Sequence, residues 1–205
     1  MSSGNDAMSE VLWQQFIALQ GLEAIAVVLA IAYVVLAAHK NIWCWLCAGI
    51  STLLYTIVFW HVNLPFQVVL NAYYVLMAVV GYWQWQRSGD EADVSRLTLT
   101  QNSVIIAVIF TVTAVLAHTV SSYVDTQYVY VDAFITIASV ITTVMVVYKK
   151  LDNWVYWLVI NAVSCWLYWQ VELYLTSLLF LLYVGLSVYG LLQWRKSHSL
   201  TPARD

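Results

Sequence analysis

The sequence is poor in charge. Only 9% of its 205 residues are charged, while 62% are hydrophobic. A soluble domain of similar length usually has roughly 25% charged residues. The hydrophobic residues also lie in long blocks, and several blocks reach the roughly 17–25 residues that cross a bilayer. This composition excludes a soluble domain and predicts an integral membrane protein.

Basic residues are missing from the start of the chain. No lysine or arginine precedes Lys40, so the amino terminus lacks the basic region of a cleavable signal peptide. We therefore expect the first apolar segment, from Leu22 to Ala38, to be a retained helix.

The motifs of several enzyme classes are also missing. No phosphate-binding loop is present, and no carboxylate lies at mid-span where a proton or sodium ion would bind. The four histidines lie near span ends, without the i, i+4 spacing of a helical metal site. We expect no catalytic residue, no metal and no cofactor, and passive, gated movement of a solute as the mechanism.

Cysteine is scarce, and two of the three cysteines form a CxxC pair, Cys44 and Cys47. Such a pair can mark a dithiol redox centre, so a membrane thiol oxidoreductase is the enzyme alternative. An enzyme of that kind usually needs a second pair to pass electrons onward, and only Cys165 remains. The pair also lies at a predicted cytoplasmic span end, where disulfides seldom persist. Apolar packing is the favoured interpretation.

Seven apolar spans are predicted, with one long polar link at residues 87–101. The short alternating segments of transmembrane strands are absent, so the predicted fold class is all-α. The spans cover residues 20–38, 43–60, 64–86, 101–119, 131–148, 153–170 and 173–194.

All eight lysines and arginines fall on one side of this seven-span arrangement. The positive-inside rule makes that side cytoplasmic. We therefore expect a multi-pass protein of the cell inner membrane, with its amino terminus outside and its carboxyl terminus in the cytoplasm. The basic residues are Lys40, Arg87, Arg96, Lys149, Lys150, Arg195, Lys196 and Arg204.

The sequence matches itself at an offset of 109 residues, which places Lys40 over Lys149 and residues 23–88 over 132–197. One span between two three-span repeats restores their direction, so a 3+1+3 arrangement with parallel repeats is predicted. Parallel repeats occur in transporters that bind substrate at the repeat interface. Other matched pairs are Trp45/Trp154, Trp60/Trp169, Tyr74/Tyr183, Gly81/Gly190, Gln84/Gln193 and Trp85/Trp194.

This arrangement divides the chain into five segments. Two three-helix repeats form its main part, and shorter segments precede, connect and follow them. The segments are 1–19, an extracellular amino-terminal segment; 20–88, the first repeat; 89–130, a cytoplasmic linker, a connecting helix at about 101–119 and an outer loop; 131–197, the second repeat; and 198–205, a cytoplasmic tail.

Two asparagines lie at a similar depth in their spans. Asn161 is about 12 Å from the cytoplasmic end of span six, and Asn71 is about 10 Å from the outer end of span three. Both depths are near the middle of a roughly 30 Å core. Neighbouring polar and aromatic residues share their helical faces. The predicted substrate-binding residues are Trp45, Thr52, Tyr55, Gln67, Asn71, Tyr74, Trp157, Asn161, Ser164, Thr176 and Tyr183.

These residues have a structural alternative. Polar side chains hydrogen-bond between transmembrane helices for about 0.6 kcal/mol on average without a ligand. A ligand site is favoured for Asn161, Asn71 and Trp157, because they share a depth and repeat-related faces. The predicted pocket is uncharged and suits a flat ring with amide and hydroxyl groups. Anchoring at the membrane interface accounts for other aromatic residues, namely Trp60, Trp83, Trp85, Trp169 and Trp194.

The segments KKLDNWVYWLVINAVS, from Lys149, and VDAFITIASVITTVMVVYKK, from Val131, resemble the Pnu vitamin transporter family. The resemblance covers residues 20–197 and is strongest at N-W-x-x-W-x-x-x-N, from Asn153, and at G-x-x-x-W, from Gly190. It implies a relative of the SWEET sugar transporters that takes up a vitamin or nucleoside by facilitated diffusion. Nicotinamide riboside is the first expected substrate, and thiamine or riboflavin is the alternative.

The resemblance also implies a central site on spans two, three, six and seven, where Trp157 and Asn161 contact the aromatic base. It implies that Gly81 and Gly190 permit gating movements, with close helix packing as the alternative. Further implied cavity residues are Asn71, Tyr74 and Tyr183. The implied partners are a small vitamin substrate, the bilayer and a separate cytoplasmic kinase that traps the substrate without direct contact. No nucleic-acid partner is expected, and the sequence does not decide between a monomer and a homo-oligomer.

Overall fold

A computed structural model describes residues 21–22, 24–61, 65–88, 94–123, 128–170 and 174–200. These residues form seven helices, which confirms the all-α fold class. Each helix overlaps the span predicted for it. The helices are α1 (Ala24–Ala38), α2 (Cys44–His61), α3 (Pro65–Ser88), α4 (Leu99–Ser121), α5 (Val129–Val147), α6 (Asn153–Gln170) and α7 (Tyr174–Leu200).

Three helical stretches are both long and apolar enough to cross a membrane, namely Leu99–Ser121, Val129–Val147 and Ser177–Ser197. Two shorter stretches, Ala24–Ala38 and Cys44–Val58, are also apolar. Amides, tyrosines and tryptophans lower the mean hydropathy of α3 and α6. These two helices carry the predicted mid-membrane asparagines, and neither is among the five apolar stretches just named.

The chain divides into two compact units, Met1–Trp83 and Gln84–Asp205. The first unit contains α1, α2 and most of α3, and the second contains the end of α3 and helices α4 to α7. In the second unit, α4 packs against α5, α5 against α6, and α6 against α7. Helix α4 is thus part of a packed unit as well as a connection along the chain.

Within the first unit, a buried hydroxyl and a ring contact connect α2 to α1. Ser51 Oγ donates a hydrogen bond to the carbonyl oxygen of Ala26 at 2.8 Å, and both residues are buried. The Trp45 and Tyr33 rings lie 6.1 Å apart. These contacts fix the two helices side by side.

The turns after α1 and α5 have the same backbone geometry. Lys40 and Lys149 have positive φ angles of 56° and 48°. Each lysine N–H donates to the carbonyl three residues earlier at 3.0 Å, and the next N–H donates to the carbonyl five residues before it at 2.9 Å. This is the Schellman pattern that ends helices. The two turns are separated by the same offset as the sequence match.

The segment before α4 pairs with the turn between α5 and α6. Ser95 N donates to the Lys149 carbonyl at 3.2 Å, and Leu151 N donates to the Ser95 carbonyl at 2.9 Å. Lys150 Nζ donates to Ser95 Oγ at 2.9 Å. Helix α4 then begins at a capping box, in which Thr98 and Gln101 satisfy each other's backbone N–H groups.

Three tryptophans pack together within the second unit. The Trp194 ring lies 6.3 Å from the Trp85 ring and 5.6 Å, edge to face, from the Trp154 ring. Trp85 Nε1 donates to two carbonyls at the end of α5, at 3.2 and 3.1 Å. Lys149 Nζ lies 5.1 Å from the centroid of the Trp85 ring, within reach of a cation–π contact.

This packing corrects one expectation from the sequence. Trp85 and Trp194 were expected to be membrane-interface anchors, but they are only 3% and 0% exposed. Their rings fill the space between helices, so they are buried in the protein and do not reach the membrane interface. Trp60, Trp83 and Trp169 are exposed, as interfacial anchors require.

Candidate functional site

Asn161 lies at the middle of α6, and its amide is bonded to α7. Asn161 Nδ2 donates to Ser187 Oγ at 3.1 Å. Asn161 is 6% exposed and Ser187 is 2% exposed. A buried polar group is costly unless it is hydrogen-bonded. Ser187 therefore provides a hydrogen-bond partner for the NH2 group of Asn161, but not for its Oδ1.

Ser187 also determines the orientation of this amide. Its hydroxyl donates to the Tyr183 carbonyl, one turn earlier, at 2.8 Å. The hydroxyl has only one hydrogen, so toward Asn161 it can only accept. Within the described residues, Asn161 Oδ1 makes no hydrogen bond, and it is not fully enclosed. The site thus offers a hydrogen-bond acceptor at the middle of the helix.

Ser187 was not among the predicted site residues. This residue lies four positions after Tyr183 on α7, so the two occupy the same helical face. Tyr183 was predicted to be a site residue, and the i, i+4 spacing was the signal that could have added Ser187. Its matched position in the first repeat is an alanine, Ala78, which gave no indication of a polar site.

Trp157 and Ser164 lie on the same face of α6 but in different surroundings. Trp157 is half-buried and packs against the cluster formed by Ile109, Ala138 and Ile160. Ser164 is fully buried, and its hydroxyl has no hydrogen-bond partner within the described residues. The Trp157 ring has the partial exposure that a cavity wall needs. The Ser164 hydroxyl is enclosed and would need a rearrangement to contact a ligand.

Helix α7 contributes an aromatic series beside the Ser187 position. The Tyr183 ring packs edge to face on Phe180 at 5.9 Å, and Phe180 stacks on Tyr168 of α6 at 5.2 Å. Tyr183 is half-buried. The second unit therefore combines aromatic rings and an amide–hydroxyl pair on α6 and α7.

The predicted site residues of the first unit lie on α2 and α3. Asn71 is 7% exposed, and the half-buried Tyr74 ring lies 5.5 Å from the Tyr73 ring. Thr52 Oγ1 donates to the carbonyl four residues earlier at 2.8 Å, so its lone pairs can still accept. Tyr55 is also half-buried. A role for these residues in substrate binding stays a prediction.

Two glycines lie directly under tryptophan rings. A Cβ at Gly81 would lie 2.5 Å from ring atoms of Trp45, and a Cβ at Gly190 would lie 2.4 Å from ring atoms of Trp154. Such distances are too short for any side chain, so close packing accounts for both glycines. Trp45 and Trp154 are only 2% and 3% exposed. The contacts of Trp45, a predicted substrate residue, are thus packing contacts, and gating at the glycines stays a prediction.

Cys44 and Cys47 lie at the start of α2, and within the described residues neither forms a disulfide. Cys44 is fully buried, and Cys47 is half-buried. This is the environment expected for apolar packing. Within the described parts of the chain, no three histidine, cysteine or acidic residues come together in a way that could hold a metal ion.

Some predicted features lie outside the described residues. For this reason the substrate roles predicted for two side chains stay predictions, as do the outer turns and the terminal segments. They are the side chains of Gln67 and Thr176, residues 62–64 and 171–173, residues 1–19 and residues 201–205.

Comparison with known proteins gives the chain its family. The sequence model of the nicotinamide mononucleotide transporter family matches residues 20–196. The fold is similar to the crystal structure of the vitamin B3 transporter PnuC, with a TM-score of 0.70 and 23% sequence identity over 94% of this chain and 88% of that chain. No curated protein matches the sequence. The chain belongs to the nicotinamide mononucleotide transporter family.

Proposed function

We propose that this multi-pass membrane protein takes up nicotinamide riboside, the unphosphorylated nucleoside of vitamin B3. The supporting observation is the Asn161 acceptor at the middle of α6, which Ser187 orients. The nicotinamide ring carries a carboxamide whose NH2 group donates hydrogen bonds. A buried acceptor that only the substrate satisfies gives strong selectivity, because an analogue without the donor leaves it unpaired.

Aromatic side chains beside this acceptor suit the ring itself. Trp157 is one helical turn from Asn161 on α6, and Tyr183 is one turn from Ser187 on α7. The nicotinamide ring of the riboside is flat and cationic, so an aromatic face attracts it through stacking and cation–π contact. In this proposal Asn71 and Tyr74 of the first repeat are further substrate contacts.

The charge of the spans favours the riboside over the mononucleotide. A phosphate group in a membrane site would need arginine, lysine or several backbone N–H groups to neutralise it. All eight basic residues of the sequence lie at or beyond the span ends, and α6 itself contains none. An uncharged amide and aromatic rings match a substrate without phosphate.

Facilitated diffusion is the proposed mechanism. The sequence places no carboxylate at mid-span, where coupling to protons or sodium ions would need one. Two parallel three-helix repeats connected by α4 would open alternately to the two sides of the membrane. The matching turns at Lys40 and Lys149 support this repeat assignment, because their hydrogen bonds agree at the repeat offset.

The proposal keeps the orientation given by the basic residues, with the amino terminus outside the inner membrane and the carboxyl terminus in the cytoplasm. Passive uptake needs a separate step that removes the solute inside the cell. A separate cytoplasmic kinase would supply it by phosphorylating the riboside, since a charged phosphate cannot return through an uncharged site.

Uptake into proteoliposomes tests this function. We expect radiolabelled nicotinamide riboside to enter with saturable kinetics and to equilibrate without a proton or sodium gradient. Nicotinamide mononucleotide should enter at least about tenfold more slowly, because its phosphate lacks a cationic partner. Faster mononucleotide uptake would contradict the substrate assignment. A requirement for an ion gradient would contradict passive transport, and a flux that never saturates would indicate an open channel.

A further inference from the structure

A groove of about 450 Å³ runs along the second unit between α4 and the α5–α6 pair. Its walls are almost entirely apolar, and most of the side chains of α4 and α6 along it are exposed. In a membrane protein, such a surface faces lipid. The residues that define the groove are Leu99, Ile106, Phe110, Phe134, Val155 and Val159.

The length of the groove matches one leaflet of a bilayer. From Leu99 to Phe110 it follows α4 for about 16 Å, at 1.5 Å per residue. Half of a roughly 30 Å hydrocarbon core is about 15 Å. At the middle of α4 the rings of Phe110 and Phe134 stack at 6.0 Å and separate the groove from a second apolar cavity of about 310 Å³ farther along α4. One acyl chain of the adjacent leaflet would therefore lie along its whole length.

The other end of the groove is polar. Tyr156 OH donates to Asn102 Oδ1 at 3.0 Å, and Asn102 Nδ2 lies 3.5 Å from Asp152 Oδ1. Leu97 N donates to Asp152 Oδ2 at 2.8 Å. Asn102, Asp152 and Tyr156 all line the groove. A hydrogen-bonded carboxylate thus lies where an acyl chain in the groove would meet the membrane surface.

The Asp152 carboxylate still has capacity for a cationic donor. Its two oxygens can accept about four hydrogen bonds, and two are present. Within the described residues it makes no ion pair. Its neighbour Lys150 directs Nζ to Ser95 instead. The polar end of the groove therefore complements a ligand that carries a positive charge with N–H donors.

We propose that this groove binds one phosphatidylethanolamine molecule, with an acyl chain along α4 and its primary ammonium group on Asp152. The ammonium group donates charge-assisted hydrogen bonds, which a choline headgroup cannot do. A phosphatidylglycerol headgroup has no cation and would place its phosphate near the carboxylate. Such a lipid site does not depend on which substrate the chain carries.

Native mass spectrometry of the full chain in detergent tests this site. We expect the parent protein to retain one phosphatidylethanolamine per chain, and to bind phosphatidylglycerol of the same acyl composition about tenfold more weakly. Asp152→Asn keeps an oxygen for the Leu97 N–H but removes the charge. It should weaken retention of phosphatidylethanolamine about tenfold. Asp132→Asn, at the start of α5, is the matched control and should retain the lipid as the parent does.

Filling the groove provides a second variant that does not rely on Asp152. Ile106 is exposed, so Ile106→Trp should leave the fold intact while its ring occupies the position of the acyl chain. We expect it to lose the retained lipid. Equal retention of phosphatidylethanolamine by the parent and Asp152→Asn, or equal retention of both lipids by the parent, would overturn the proposal. An oligomer that Ile106→Trp dissociates would overturn it too, since a second copy of the chain would then fill the groove.

Discussion

Replacing Asn161 by leucine is expected to lower the rate of nicotinamide riboside uptake by about tenfold to a hundredfold at substrate concentrations below KM. The change removes Oδ1, the proposed acceptor for the substrate carboxamide, and deprives Ser187 Oγ of its donor. Leucine branches at Cγ as asparagine does, so the α6–α7 contact should persist. Initial rates of uptake into proteoliposomes measure the effect.

Two controls separate loss of the acceptor from damage to the fold. Ala162→Leu adds the same side chain to an exposed neighbour on α6 and should transport as the parent does. Ser187→Ala removes the group that orients the amide but keeps Asn161 Oδ1, so it should cause a smaller loss than Asn161→Leu. If Asn161→Leu matched the parent in uptake, Asn161 would be no part of the substrate site. Unchanged uptake with a lower thermal midpoint would make it a helix–helix contact.

Replacing Gly190 by alanine should destabilise the protein, because the new Cβ would lie 2.4 Å from the Trp154 ring. Overpacking of this kind costs about 1–3 kcal/mol. The rigid, edge-to-face contact with Trp194 leaves the Trp154 ring little room to move. We expect the midpoint of thermal unfolding in detergent to fall by several degrees, as followed by circular dichroism.

Gly185 provides the matched control on the same helix. No atom lies within 4 Å of a Cβ built at this position, so Gly185→Ala should gain up to about 1 kcal/mol from helix propensity. In a Trp154→Leu background, Gly190→Ala should cost less stability than it does in the parent, since the clashing ring is gone. Equal unfolding midpoints for the two alanine variants would show that the Trp154 ring can move aside at little cost. Close packing would then not explain why residue 190 is glycine.

The fold was predictable because its main features are local. Long apolar runs in the sequence identify the helices, and the segregation of lysine and arginine identifies a span count. The positive φ angles at Lys40 and Lys149 occur at positions that the sequence already paired. Helix ends depend on short segments, so one sequence contains most of the information needed to find them.

The partners of buried polar residues were not predictable in the same way. Asn161 was singled out by its depth, but its bond to Ser187 depends on how α6 packs against α7. The link between Asn102 and Asp152 joins α4 to the turn before α6 and has no local sequence pattern. Trp85 and Trp194 looked like interfacial anchors because composition alone does not distinguish a buried ring from an exposed one.

Isothermal titration calorimetry with the purified protein tests the central claim most directly. Nicotinamide riboside, nicotinamide mononucleotide, thiamine and riboflavin would be titrated in parallel into the parent and into Asn161→Leu. We expect the riboside to bind the parent tightest of the four, and the variant to bind it at least about tenfold more weakly. Tighter binding of another ligand to the parent, or equal riboside binding by parent and variant, would contradict it.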